Sequence, residues 1–271
     1  MTRRLFTYIT IILILNACGS RGQTLEDIPT RIPSLDTYAT SVVLTENAPP
    51  EGFREFVAFP QIDDNLQFLS HWHSEVYFHF DGVFSRTPRQ IDAETTSLIW
   101  YTRTGNQRRV VLTGGGDLFG DQQGETLEGV RLGSDVFLLR DEVCLDNAEE
   151  AAAAVADLRA SLIVGGVNYA VPAGEKRIIN GEQVWRYAFT LENVNLPLLR
   201  MGDDAQITNM LGELWVSPEH NAVIRYYLNM EVENVVLQVV DNALPVSGQL
   251  ILRYDLYDIG INPNITQPFG C

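Results

Sequence analysis

Lysine is all but missing from this chain: Lys176 is the single one, and every other basic residue apart from histidine is an arginine. A phosphate-loop lysine, a Schiff-base lysine or a Ser-Lys dyad would each have to use Lys176, which stands in Gly174-Glu175-Lys176-Arg177 without the neighbours those chemistries need. No Gly-x-Ser-x-Gly element occurs, and Ser74 beside His73 is a neighbour in sequence rather than a triad. The run Gly114-Gly115-Gly116-Asp117 is not followed by Lys and Ser or Thr, so it reads as a flexible hairpin tip and not a phosphate cradle. With no residue set that names a reaction, the expectation is a protein that is not an enzyme and needs no cofactor.

Positive charge is also scarce. Lys and Arg number 19 against 35 Asp and Glu, a formal net charge of -16. Residues 1–17 hold Arg3 and Arg4 and no acid, so without them the balance is 17 minus 35, or -18. Such a field repels nucleic acid, which is excluded as a partner. The acid pairs Asp63-Asp64, Glu149-Glu150 and Asp203-Asp204 lack the spaced oxygen ligands of a calcium loop and read as solvated faces.

Long hydrophobic runs are absent too. The one from Leu5 to Leu15 is too short to span a bilayer. Preceded by Arg3-Arg4 and followed by Leu15-Asn16-Ala17-Cys18, it has the shape of a secretory signal peptide. A cysteine at the cut site resembles the lipobox of bacterial lipoproteins, departing from the commonest pattern at Asn16. That resemblance implies that residues 1–17 are removed and that Cys18 becomes the lipidated N-terminus. Two or three acyl chains, at roughly 0.8 kcal/mol per buried methylene, hold stably where one does not. The expected location is extracytoplasmic, anchored by lipid to a bacterial cell membrane. The alternative is an ordinary signal peptide or a plain N-terminal anchor.

Cysteines are few. With Cys18 taken by lipid, Cys144 and Cys271 remain, an even pair expected to bridge in an oxidising compartment, the alternative being two free thiols.

Residues 18–52, with Pro29, Pro33, Pro49 and Pro50, read as a flexible tether, and residues 53–271 as one domain. Hydrophobic residues at 45% and aromatics at 10% are enough for a packed core. Within the domain the dominant signal is alternation of period two, as in Val76/Phe78/Phe80/Phe84, Trp185/Tyr187/Phe189, Ile224/Tyr226/Leu228/Met230/Val232 and Leu250/Leu252/Tyr254/Leu256. Further strands are expected at 53–60, 96–104, 108–114, 127–140 and 212–217. Asn180-Gly181 marks a two-residue hairpin, and Ser217-Pro218-Glu219-His220-Asn221 a turn. One helix is expected over Ala148–Ile163, opened by a capping box of Asp146 with Glu149 and closed by Gly165-Gly166. The apolar stretch Leu196–Met201 and Ile207–Leu211, interrupted by Gly202-Asp203-Asp204, reads as a short broken helix or mobile flap.

The aromatic strand Val184–Thr190, the hairpin from Gly212-Glu213-Leu214-Trp215-Val216 into Ala222–Met230 and the closing strand Gln249–Asp258 follow an order that resembles a family of carriers. This is the family of the outer-membrane lipoprotein localisation factor and the mycobacterial lipid-carrier lipoproteins. The resemblance implies an α+β fold, a curved and mostly antiparallel sheet forming a half-barrel over one main helix and a short broken helix or flap. It also implies a hydrophobic ligand, a lipid or acyl chain, and carries over no catalytic residue.

The candidate ligand-binding residues are Trp185, Tyr187, Phe189, Ile224, Tyr226, Leu228 and Met230 on the strands, with Leu198 and Met201 from the flap. They line a cavity if the sheet curves over the helix without filling the space. If the core is filled instead, the domain is a structural or interaction lipoprotein whose surface meets another envelope protein. His71 and His73, with Glu75, are weak candidates for a metal site, weighed against a polar face beside aromatic partners. His79 lies about 20 Å further along an extended strand and cannot close the same site. Asn264-Ile265-Thr266 matches a glycosylation sequon and is assigned nothing in a bacterial lipoprotein.

Overall fold

The computed structural model describes residues 47–87, 89–117, 124–238 and 245–271. The signal segment, Cys18 and the tether up to residue 46 lie outside them.

Period-two alternation builds most of the domain. The strands are β1 (Val57–Phe59), β2 (His71–Phe84), β3 (Gln90–Thr102), β4 (Gln107–Gly116), β5 (Thr126–Leu132), β6 (Asp135–Arg140), β7 (Val143–Cys144), β8 (Gly166–Ile179), β9 (Glu182–Ala188), β10 (Val194–Asn195), β11 (Leu199–Arg200), β12 (Gln206–Ser217), β13 (Ala222–Leu237) and β14 (Pro245–Tyr257). They form one antiparallel sheet in the order β1-β8-β9-β12-β13-β14-β2-β3-β4-β5-β6-β7, with β10 on β8 and β11 on β13. Among the described residues its two ends do not pair, so the sheet is open.

The sheet curls, and its connections show why. Helix α1 (Glu149–Ala156) packs on β5 and β6, while the single turn α2 (Ser161–Val164) packs on β2 and β14. Only Gly165 separates Val164 from Gly166, where β8 begins, so the chain takes two residue steps from one to the other. In a flat sheet β8 and β14 would be four strand spacings apart, about 19 Å, and two residues reach at most about 7 Å. The strands therefore wrap round α2 and the segment 60–70, whose Ile62 and Leu66 are buried in the core.

Along β13 the pleat separates Ile224, Tyr226, Leu228, Met230 and Val232, all buried, from Arg225, Tyr227, Asn229 and Glu231 on the outer face. Tyr226, Tyr254, Val76 and Ser97 follow one another across β13, β14, β2 and β3 in register, forming a buried row on the inner face. Gly129 lets α1 approach β5, because a Cβ there would stand 2.6 Å from the Ala156 nitrogen.

Several local expectations are corrected. The helix of 148–163 is two pieces, since Arg131 forks onto Asp157 at 2.8 and 2.6 Å and Arg108 donates to the Leu158 carbonyl. Two arginines directly opposite on β4 and β5 thus end α1 at the negative end of its dipole. The Asp146 capping box is not formed: Ala148 is the N-cap, with no side-chain hydrogen bond, although Glu149 and Glu150 still favour the first turn. The run 127–140 folds back at Gly133-Ser134 into β5 and β6. Gly114–Gly116 are inside β4, paired with Thr95 to Ala93, and are not a hairpin tip. Ile207–Leu211 belong to β12, so no helix forms there.

Cys144 on β7 and Cys271 are bonded, with Cα atoms 5.5 Å apart and 127 residues between them. The last residues thereby run over the outer face, where Pro263–Phe269 and the side chains of Trp100, Arg109 and Glu128 enclose a cleft.

Candidate functional site

The inner face is filled. Ile224, Tyr226, Leu228 and Met230 are 0% exposed, and Trp185 and Tyr187 are buried beside them. The Tyr187 hydroxyl donates to the Phe53 carbonyl at 2.9 Å. Burial pushes the Tyr187 and Tyr226 phenols far above their ordinary range, so both stay neutral. Phe189 is half-buried, lies 6.0 Å from the Tyr226 ring and sits over Gly212, where a Cβ would stand 2.5 Å from its ring. These side chains are the packed core.

The opening is at the rim. Strand β9 pairs with β12 only at Trp185–Tyr187 against Leu214–Val216. Beyond that, Gln206–Glu213 of β12 pair with β13 alone. The sheet splits there, and residues 189–205 cross the split as a strap. The strap has a 3-10 turn at Leu191–Asn193, joins β8 where Val194 and Asn195 face Val167 and Gly166, and joins β13 where Leu199 and Arg200 face Leu237 and Val236.

Between strap and sheet lies an open cleft of about 520 Å³, lined by Leu191, Val194, Leu196, Leu199, Met201, Ala205, Gln206 and Ile207. Its lining holds no ionisable group and one polar side chain, Gln206. Chemically it can bury an alkyl chain and can neither donate nor accept a proton. Met201 is the one sequence-chosen cavity residue that lines this cleft, while Leu198 packs half-buried against the core. The other lining residues were missed, because the two-residue strands that fix the strap have no periodicity to read. The legible signal was the apolar run around Pro197.

The histidines of β2 point to the outer face and do not converge. His71 Nδ1 is 3.3 Å from the Thr102 hydroxyl, and His79 Nε2 is 3.0 Å from Asp92. His73 stacks on Trp100 at 4.7 Å and on Tyr257 at 5.6 Å, with Nδ1 3.7 Å from Asp258. Glu75 is taken by Arg253 at 2.7 Å.

Desolvation lowers the pKa of His73 below the usual histidine value, against the pull of Asp258 and Glu75. The folded state then binds fewer protons than the unfolded state below pH 6.5, so this group contributes a loss of stability as pH falls through that value. His73→Gln is expected to reduce the drop in melting temperature between pH 7 and pH 5. An equal drop in both proteins would refute the assignment.

Of the acid pairs, Asp63-Asp64 is no solvated face. Arg159 reaches Asp63 at 2.9 Å and Asp64 at 3.3 Å, and the Asp63 side chain is 6% exposed, tying the inner segment to α2. Asp203-Asp204 and Glu149-Glu150 are exposed or nearly so.

Among the described residues no helix is long and apolar enough to cross a membrane. No protein-family model matches the chain, and no curated protein matches it. Three solved structures are similar at low identity. A LolA superfamily protein from Nitrosomonas europaea is 10% identical, with 74% of this chain and 92% of that one covered and a TM-score of 0.22. A putative outer membrane lipoprotein-sorting protein domain from Vibrio parahaemolyticus is 9% identical, with 84% and 93% covered and a TM-score of 0.20. A DUF1329 family protein from Desulfovibrio piger is 9% identical, with 84% and 94% covered and a TM-score of 0.20. Likenesses of this size carry no argument here, and the functional reading rests on the cleft.

Proposed function

We propose that this chain is an extracytoplasmic lipoprotein, anchored through Cys18, that binds or carries a hydrophobic ligand such as an acyl chain without catalysis. The observation that carries the reading is the cleft between the strap and β12, whose lining side chains are apolar except for Gln206, within the usual range of ligand pockets, roughly 300–1,000 Å³. Affinity comes from apolar surface removed from water, at about 25 cal/mol per Å². Exchange comes from movement of the strap, held to β8 and β13 by two residues at each end. With the strap lifted, Phe189, Leu228 and Met230 are the next apolar wall a chain would meet.

The second reading is a structural or interaction lipoprotein. It is favoured by the filled interior and by the exposed rings of Phe56 and Tyr169, stacked 5.4 Å apart near the β1 edge.

Uptake of a fluorescent fatty acid by residues 19–271 separates the two. The carrier reading expects saturable binding at one site, weakened at least tenfold by Ile207→Asp, with Phe56→Ser unchanged. Binding unaffected by Ile207→Asp would rule out the cleft.

A further inference from the structure

We propose that Glu182, Glu219 and His220 form a binding site for a divalent transition-metal ion of the zinc type, at the end of the sheet where two hairpins meet. The ligand atoms of these three residues all lie within 4.8 Å of one another, and they are the one such group among the described residues. His220 Nε2 and Glu182 Oε2 share a hydrogen bond of 2.9 Å, which holds the two side chains together. A tetrahedral ion with bonds of about 2.0–2.2 Å holds its donors roughly 3.3–3.6 Å apart, so the pair has to open by about 0.4–0.7 Å and give up its shared proton when an ion enters. Glu219, exposed at the turn, closes the set by rotating its side chain. One imidazole and two carboxylates leave the fourth position to water, and the imidazole favours zinc over calcium.

The charge around the site points the same way. The buried or half-buried carboxylates of Asp63, Glu75, Glu128 and Asp255 are each met by an arginine. Glu182 and His220 are equally shielded, with side chains 21% exposed. Yet among the described residues neither Glu182 nor Glu219 has an arginine or lysine within 4.0 Å. An ion bound at Nε2 displaces the proton shared by His220 and Glu182, and the two carboxylates then balance its double positive charge.

The scaffold is fixed on both sides. Asn180 in the β8–β9 turn donates to the Leu256 carbonyl at 3.0 Å, and Asn65 donates to the Asn221 carbonyl of the β12–β13 turn at 2.8 Å. A bound ion would clasp the two hairpins together.

The test is calorimetric titration of the chelator-stripped full chain with zinc chloride, alongside thermal melts with and without the metal. One ion per chain is expected, with a rise in melting temperature, because the ion binds only the folded arrangement. His220→Ala and Glu182→Gln are expected to weaken binding at least tenfold and abolish that rise. The double variant His71→Ala/His73→Ala keeps both. Glu219→Gln, altering an exposed side chain, serves if His220→Ala fails to fold, and is expected to weaken binding likewise. No zinc uptake, or uptake that none of the site variants changes, overturns the proposal.

Discussion

Replacing Cys144 and Cys271 by serine is expected to lower the melting temperature of the domain by roughly 10–15 °C, the largest effect of any substitution considered. The bond closes a loop across 127 residues. In the chain-entropy account such a closure removes about 4–5 kcal/mol of unfolded-state freedom, and each kcal/mol moves the midpoint of a domain of this size by about 2–4 °C. The native contribution is local: Cys144 ends the sheet at β7, and the bond holds the C-terminal segment against Trp100 and Arg109. Thermal unfolding followed by circular dichroism measures the change. A midpoint shifted by less than about 3 °C would mean that the segment is held by its other contacts.

Gly165→Ala is expected to cost about 3–5 kcal/mol, the sum of two separate penalties. The residue has φ +70 and ψ -126, a backbone region essentially reserved for glycine. A Cβ would also run into the Asn195 carbonyl oxygen of β10 and stand 2.8 Å from the Pro197 ring. Backbone strain contributes about 1–3 kcal/mol and overpacking a similar amount. Gly174→Ala is the control, because its φ is +76 and nothing lies within 4 Å of the added carbon. It is expected to cost about 1 kcal/mol. Equal destabilisation by the two, read from denaturant midpoints, would show that strain alone matters and that the strap does not press on Gly165.

Gly165 also shows how much of the fold was legible. Its place after the helical segment was readable from Gly165-Gly166, but the reason for it, the strap crossing behind, was not. Alternation in β13 and β14 identified the inner faces because from Ile224 to Val232 and from Leu250 to Tyr254 each buried residue is two positions from the next. Asn180-Gly181 announced its hairpin because both residues take positive φ, 52 and 88. The helix broke where distant arginines on β4 and β5 captured Asp157 and the Leu158 carbonyl just past its end, contacts that no local pattern reports.

The candidate site was legible only in part for the same kind of reason. Alternation tells which residues face inward and not whether the space between them is filled. Trp185, Ile224 and Tyr226 therefore became core, and the opening fell to short strap strands whose pairing is entirely long-range. His220, four positions from the alternating face of β13, meets Glu182 only because β9 and β12 are neighbours in the sheet.

The central claim, that this domain carries an apolar ligand in the strap cleft, is met most directly by native mass spectrometry. Residues 19–271 would be purified from a bacterial host without detergent, before and after organic extraction. The account predicts a lipid adduct of one per chain that is lost on extraction and is missing from Ile207→Asp. A clean apoprotein mass that also fails to take up offered fatty acid would contradict it and leave the partner-binding reading in its place.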